Sequence, residues 1–251
     1  MDSGLYAAYT GLLARTQALD TAANNLANAG TAGFRAQRDY FSGVLAGDAD
    51  QDPETASQVG QSVNGFGILG GNRLNLGQGE IKSTGNPLDL ALEGQGFFAI
   101  QTPNGVRYTR DGAFSRSSTG VLQTAQGEPV LDANQKPITI PTGSIYVSPD
   151  GSISVSTAGG SAIVGRVGTF DFAPSSVLTA EGANRFSANG AKPIAANASI
   201  EQGSIEGANE DVTQGTIQLV LVQRQAEMMQ KALSVFNNDF DKTASEDLPR
   251  V

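Results

Sequence analysis

Residues Val212 to Phe240 read VTQGTIQLVLVQRQAEMMQKALSVFNNDF, and this stretch decides the fold. Taken in threes and fours it gives Val212, Gly215, Leu219, Val222, Ala226, Met229, Leu233, Phe236 and Phe240. Every position on that ladder except Gly215 is apolar, the pattern of a helix with a packing seam. A second apolar ladder lies beside it at Ile217, Leu221, Met228, Ala232 and Val235. Gln218, Gln223, Arg224, Gln225, Glu227, Gln230 and Lys231 take the remaining face. At 1.5 Å per residue such a helix is on the order of 40 Å long. Two adjoining apolar seams need more than one neighbour, so the stretch predicts a helix that belongs in a bundle.

The opposite end of the chain supplies a candidate partner. Leu5, Leu12, Leu19 and Leu26 recur every seventh residue, with Tyr9, Thr16 and Ala23 completing the 3-4 ladder. The alanines between them favour helix and allow close approach. The two helices either pack on each other and bring the termini together, or pair fully only with other copies. A strict heptad favours coiled-coil contact over burial in a round core.

Composition narrows the chemistry. Hydrophobic residues make up 39% of the 251, Gly is abundant, and Trp, Cys and His are absent. No disulfide can form, zinc and haem lose their usual ligands, and Ser-His-Asp or Cys-His machinery is excluded. The net charge is −9 and the 16 basic residues are scattered, which argues against nucleic acid. No apolar run approaches the roughly 20 residues of a membrane span, and the start lacks the layout of a cleaved signal.

Between the helices the pattern is that of strands. Phe97–Ile100 and Val106–Tyr108 flank Pro103-Asn104-Gly105. Ile145–Ser148 and Ser152–Val155 flank Pro149-Asp150-Gly151. Both read as hairpins. Leu88, Leu90 and Leu92 alternate with Asp89, Ala91 and Glu93, and 138–140 and 164–172 add strand-like runs. Closely spaced strands and turns predict an antiparallel sandwich or barrel. The expected class is α+β: terminal helices forming a coiled-coil or bundle domain around a mainly antiparallel β middle. Expected boundaries are 1–35 for the first helix, 36–87 for an extended connection, 88–205 for the β-rich part and 206–251 for the second helix.

Apparent ligand motifs do not survive inspection. Asp48, Asp50, Asp52 and Glu54 resemble the opening of a calcium loop, but Pro53 and Val59 stand where that loop needs its Gly and its Glu. Gly65 to Gly70 spells GxGxxG, yet more glycine follows and no helix begins. Asp111, Asp132 and Asp150 sit at turn signals, where Asp caps backbone. We therefore expect no enzyme, no metal or other cofactor and no small-molecule substrate. A carbohydrate-active domain using Asp/Glu pairs would want sugar-stacking aromatics beside them. A coiled-coil-tethered binding module would not place heptads at opposite ends.

The first helix runs into Asn24-Asn25-Leu26-Ala27-Asn28-Ala29-Gly30-Thr31-Ala32-Gly33-Phe34-Arg35, where Asn28 and Gly30 are expected to cap with positive φ and Gly33 to permit a further bend. This stretch resembles the N-terminal signature of the bacterial flagellar rod and hook family, the axial proteins of the flagellum. Gly94-Gln95-Gly96-Phe97-Phe98, Tyr108-Thr109-Arg110-Asp111-Gly112-Ala113-Phe114 and Val222-Gln223-Arg224 agree with it, whereas 142–203 carries little signature. Glu210 and Ala226 depart from the family pattern. The resemblance implies a subunit of the basal-body rod, polymerising through its terminal helices into the drive shaft, with the proximal rod favoured over the distal rod or hook. Its implied partners are other copies, other axial proteins and the flagellar type III export apparatus, with no nucleic acid and no membrane insertion. It implies a place in the basal body across the periplasm, reached without a cleaved signal. The expected assembly residues are Leu5, Leu12, Leu19, Leu26, Val222, Ala226, Met229, Leu233, Phe236 and Phe240. Asn24, Asn25, Leu26, Asn28, Thr31, Gly33 and Phe34 would fix the exit from the first helix.

Overall fold

The alanine-rich start of the chain and the laddered stretch near its end both form long helices, α1 (Asp2–Ala27) and α2 (Val212–Glu246). The computed structural model describes residues 2–42, 68–157, 159–173 and 178–246; side chains are described for these apart from 2–8, 40–42, 68–70 and 236–246. The acidic cluster at 48–54 and Gly65 to Gly67 lie outside the described residues.

Two compact units divide the chain. The first comprises Met1–Ala27, Gln37–Arg73 and Val212–Val251; the second comprises Asn28–Ala36 and Leu74–Asp211. In the first, α1 packs along α2, and β1 (Gln37–Ser42) pairs with β2 (Ile68–Leu74). The end of the GxGxxG stretch therefore enters a strand, without the helix a phosphate cradle requires.

The second unit is a set of small sheets. Its strands are β3 (Ile81–Ser83), β4 (Leu90–Glu93), β5 (Phe97–Thr102), β6 (Gly105–Thr109), β7 (Ser115–Arg116), β8 (Leu122–Gln123) and β9 (Ser144–Val147). They continue with β10 (Ser152–Thr157), β11 (Gly160–Arg166), β12 (Thr169–Asp171), β13 (Thr179–Ala180) and β14 (Arg185–Ser187). Last come β15 (Ile194–Ala195), β16 (Ser199–Gln202) and β17 (Ser204–Glu206). The largest sheet has the order β13-β14-β6-β5-β12-β15, and β11-β10-β9 forms a second. Two pairings join the start of the unit to its end: β3 with β17 and β4 with β16, both antiparallel.

Both expected hairpins are present. β5 and β6 pair antiparallel across Pro103-Asn104 with Thr102 opposite Gly105, and β9 and β10 pair across Pro149-Asp150-Gly151. β5 is covered on both faces. Phe98 and Ile100 point into one apolar cluster with Leu90, Leu92, Leu122, Val130, Ile153 and Ile200; Phe97 and Ala99 point into another with Tyr108, Phe170, Phe172 and Phe186. Full burial of each large side chain is worth about 1.5–3 kcal/mol, so this strand anchors the unit.

Three local expectations need correction. The alternation of Leu88, Leu90 and Leu92 with Asp89, Ala91 and Glu93 is not carried into burial: Asp89 and Ala91 are buried along with Leu90 and Leu92. Ile138 and Ile140 are buried, but their segment makes isolated bridges and no ladder, and the run 164–172 is broken into β11 and β12 around Val167-Gly168. Positive φ falls on Gly33 (+67°) and not on Asn28 or Gly30. Asn28 closes a turn through its carbonyl instead, accepting the Thr31 N–H at 3.0 Å.

Candidate functional site

In the helical unit, burial follows size. The covered face of α1 is Gly11, Ala14, Ala18, Ala22 and Asn25; that of α2 is Gly215, Val222, Ala226 and Leu233, with Leu219 and Met229 half-buried. Small residues along the centre let two helices approach closely. The heptad residues Leu12, Leu19 and Leu26 are half-buried, so they flank this contact and do not form its centre. The side chains of Leu5, Phe236 and Phe240 lie outside the described ones. On α2 the second ladder is left open: Ile217, Leu221, Met228 and Val235 are exposed, Met228 by 62%. Tyr9 and Leu13 are exposed on α1.

The end of α1 is tied to β1 inside the same unit. Asn25 donates from Nδ2 to the Gln37 carbonyl (2.7 Å) and accepts the Gln37 N–H at Oδ1 (2.9 Å), so one buried amide pairs both ways with one backbone residue. Thr21 donates to Asp39 at 3.1 Å. Burial raises the Asp39 carboxyl above its ordinary range more than the threonine lowers it.

Residues 28–36 form the other half of the signature and belong to the β-rich unit. Asn24 is exposed on the last turns of α1, and Thr31 and Phe34 are half-buried in the loop that follows. Gly33 lies against the backbone of Arg110 and Asp111, and a Cβ there would stand 2.2 Å from the Asp111 nitrogen. Its N–H donates to the Glu206 carbonyl at 2.8 Å. Any other residue would meet both a positive φ and a backbone collision.

That contact leads to a buried charge cluster. Glu206 is wholly inaccessible, Arg35 is 1% exposed and Arg110 is 3% exposed. Glu206 Oε1 accepts Arg35 Nη2 and the Gly79 N–H, each at 2.6 Å, and Oε2 accepts Arg110 Nη1 at 2.9 Å. Arg110 also donates to the carbonyls of Leu92 (3.2 Å) and Gly94 (2.5 Å), and its guanidinium sits 5.6 Å from the Phe97 ring centroid. Burial pushes the Arg110 guanidinium below its ordinary pKa; Glu206 opposes that shift and Arg35 adds to it. Among the described residues, the Nε–H groups of both arginines have no acceptor. One carboxylate thus serves two buried cations, and strands that are distant in sequence meet on it.

The Asp residues considered as carboxylate pairs cap turns. Asp111 Oδ1 accepts the Ala113 N–H, Asp132 Oδ1 accepts those of Asn134 and Lys136, and Asp150 accepts the Ser152 N–H and hydroxyl. Among the described residues, no three acidic side chains gather closely enough to hold a metal ion. No described helix is long and apolar enough to cross a membrane.

Glu206 was not singled out by sequence reasoning. Its signal is a lone acid in Ser204-Ile205-Glu206-Gly207, far in sequence from the two motif arginines, Arg35 and Arg110, that it pairs with.

A helix pair from the two ends of the chain that carries an open apolar ladder, together with a β-rich unit, defines a structural subunit built for packing. Residues 5–35 match the model of the flagella basal body rod protein, and 91–155 match that of the flagellar hook protein FlgE/F/G D1 domain. The chain is 33% identical over 229 residues to the flagellar basal-body rod protein FlgF of Mesorhizobium japonicum, covering 89% of each. It is 34% identical over 237 residues to that of Caulobacter vibrioides, covering 93% of each. It is also 33% identical over 245 residues to the flagellar basal-body rod protein FlgG of Bacillus subtilis, covering 88% of this chain and 89% of the relative. The chain belongs to the flagellar basal-body rod protein family and is a structural subunit of the rod.

Proposed function

We propose that this subunit builds the proximal rod by packing its terminal helices, as a coiled-coil-like layer, against other copies and neighbouring axial proteins. The observation that carries this reading is the open ladder Ile217, Leu221, Met228 and Val235 on α2, beside the seam already covered by α1. From Ile217 to Val235 it extends about 27 Å, and an apolar stripe of that length calls for a protein neighbour. Val222, Ala226, Met229 and Leu233 hold the pair together, while Leu12, Leu19 and Leu26 border it and Phe236 and Phe240 extend the α2 ladder. The β-rich unit forms the outer layer and sets subunit spacing, and the assembly transmits torque from motor to hook. Export through the flagellar type III apparatus delivers the chain to the basal body. The FlgF relatives support proximal over distal placement.

Leu221→Asp tests the reading. The side chain is exposed in the single chain, so helix content and β-unit stability should stay at wild-type levels, while burying an unpaired carboxylate among neighbours blocks polymerisation. Basal bodies purified from cells carrying only this variant should lack a complete rod. Rods of normal length would sink the assignment.

A further inference from the structure

The chain passes between its two units four times, at 27/28, 36/37, 73/74 and 211/212. On the β-rich side, three of these passages are held by one side chain. Asn209, two residues before the last passage, accepts the Ala36 N–H at Oδ1 (2.7 Å). Its Nδ2 donates to the carbonyls of Asn75 (2.6 Å) and Gly77 (2.8 Å), and its backbone N–H donates to the Phe34 carbonyl (3.3 Å). The Asn75 N–H closes the ring on the Ala36 carbonyl at 2.8 Å. The remaining segment, 28–33, is fastened through Gly33 to the Glu206 carbonyl.

Both amide hydrogens and the carbonyl oxygen of Asn209 are engaged, so the site is specific for asparagine. Aspartate lacks the two donors, glutamine is longer by a methylene, and alanine lacks everything. Asn209 is half-buried, and its saturated side chain bonds backbone on two segments besides its own. Load entering a subunit through four independent tethers would be taken up by their bending. Tethers bonded to one another at their roots move as one.

We infer that Asn209 is a torque-coupling residue, gathering the chain's passages into a single rigid root so that load carried by the helices reaches the β-rich unit without slack. The inference rests on the rod reading above and adds a positioning role to a residue outside the helices.

The test uses Asn209→Ala and Asn209→Asp in the full chain, in purified protein and in cells lacking the native copy. By hydrogen exchange, the Ala36 and Asn75 amides of Asn209→Ala should exchange roughly tenfold or more faster, with β5 and β6 unaltered. Asn209→Asp keeps the Ala36 bond and should loosen chiefly Asn75, which leaves a readout should the alanine variant fold poorly. In cells, rods should form in normal yield and length, and swimming speed should match wild type in thin medium and fall disproportionately as viscosity rises. Normal rods with an unchanged speed–viscosity curve would overturn the inference. So would a folded variant that builds no rod, which would make Asn209 an assembly residue. Failure of the wild-type chain itself to restore rods would instead refute the rod reading.

Discussion

Glu206→Gln removes one charge and almost no volume from the centre of the β-rich unit. In the native arrangement two guanidinium groups and the Gly79 N–H share the two carboxylate oxygens, with no water-accessible surface on the carboxylate side chain. Glutamine keeps one acceptor oxygen and turns an NH₂ donor towards Arg35 and Gly79 or towards Arg110. At least one buried donor then faces another donor, and two buried cations lose their counter-charge. Removing one partner of a buried ion pair costs about 3–5 kcal/mol, a large part of the roughly 5–15 kcal/mol that holds a typical domain together. Denaturant unfolding followed by tyrosine fluorescence is the assay, since the chain has no Trp and Tyr108 lies in the second apolar cluster. With a slope of about 2 kcal/mol per M in urea, the midpoint should fall by roughly 1.5–2.5 M. Replacing Arg35, Glu206 and Arg110 together by Met should recover most of that loss, because an apolar set of similar volume leaves no charge to desolvate. A shift in the single variant worth less than about 1 kcal/mol would refute the reasoning.

Two further substitutions probe the same region. Gly33→Ala forces a Cβ into the backbone of Asp111 at a positive φ, and should destabilise the β-rich unit by about 2–4 kcal/mol in the same unfolding assay; an effect within error would mean that the loop moves aside freely. Burial raises the Asp111 carboxyl above its ordinary value of 3.8, against the lowering by the Ala113 N–H. The folded chain therefore holds this proton more tightly than the unfolded one, so the ionised form costs stability near neutral pH, and that cost disappears as pH falls through the folded value. Asp111→Asn should accordingly raise the midpoint at pH 7, with the gain shrinking towards pH 4; a pH-independent difference would show that charge is not its cause.

How much of this could be read from the sequence depended on the distance over which each interaction acts. The α2 ladder is a local periodicity, and the covered face, Gly215, Val222, Ala226 and Leu233 buried with Leu219 and Met229 half-buried, follows it in register. The two hairpins were legible for the same reason, since Asn-Gly and Asp-Gly turns act within four residues. On α1 the leucines drew attention because they are large, whereas the contact is centred on Ala14, Ala18 and Ala22, whose small size is what allows it. The pairing of β4 with β16 and β3 with β17 spans over a hundred residues, and no local pattern encodes it. Glu206 was hidden in the same way: an acid in a polar, glycine-rich stretch reads as surface until Arg35, 171 positions away, is brought to it.

The two units solve different problems with different chemistry. Apolar helix faces are adhesive and tolerant: a Leu or Met ladder packs against several neighbours, which suits a subunit that meets more than one. The same tolerance at the centre of the β-rich unit would be a defect, because an apolar patch there could settle in more than one register. Carboxylate–guanidinium geometry is far less forgiving. Glu206 satisfies Arg35, Arg110 and Gly79 at once only when segments 33–35, 79, 92–94, 110 and 204–206 are all in place. A slip of one residue in β17 would turn the carboxylate to the other face of the strand and strand both arginines in the interior. Buried charge adds little net stability there, and it makes alternatives expensive. For a part that must carry load without yielding, the energy gap to the next arrangement matters more than the depth of the native one.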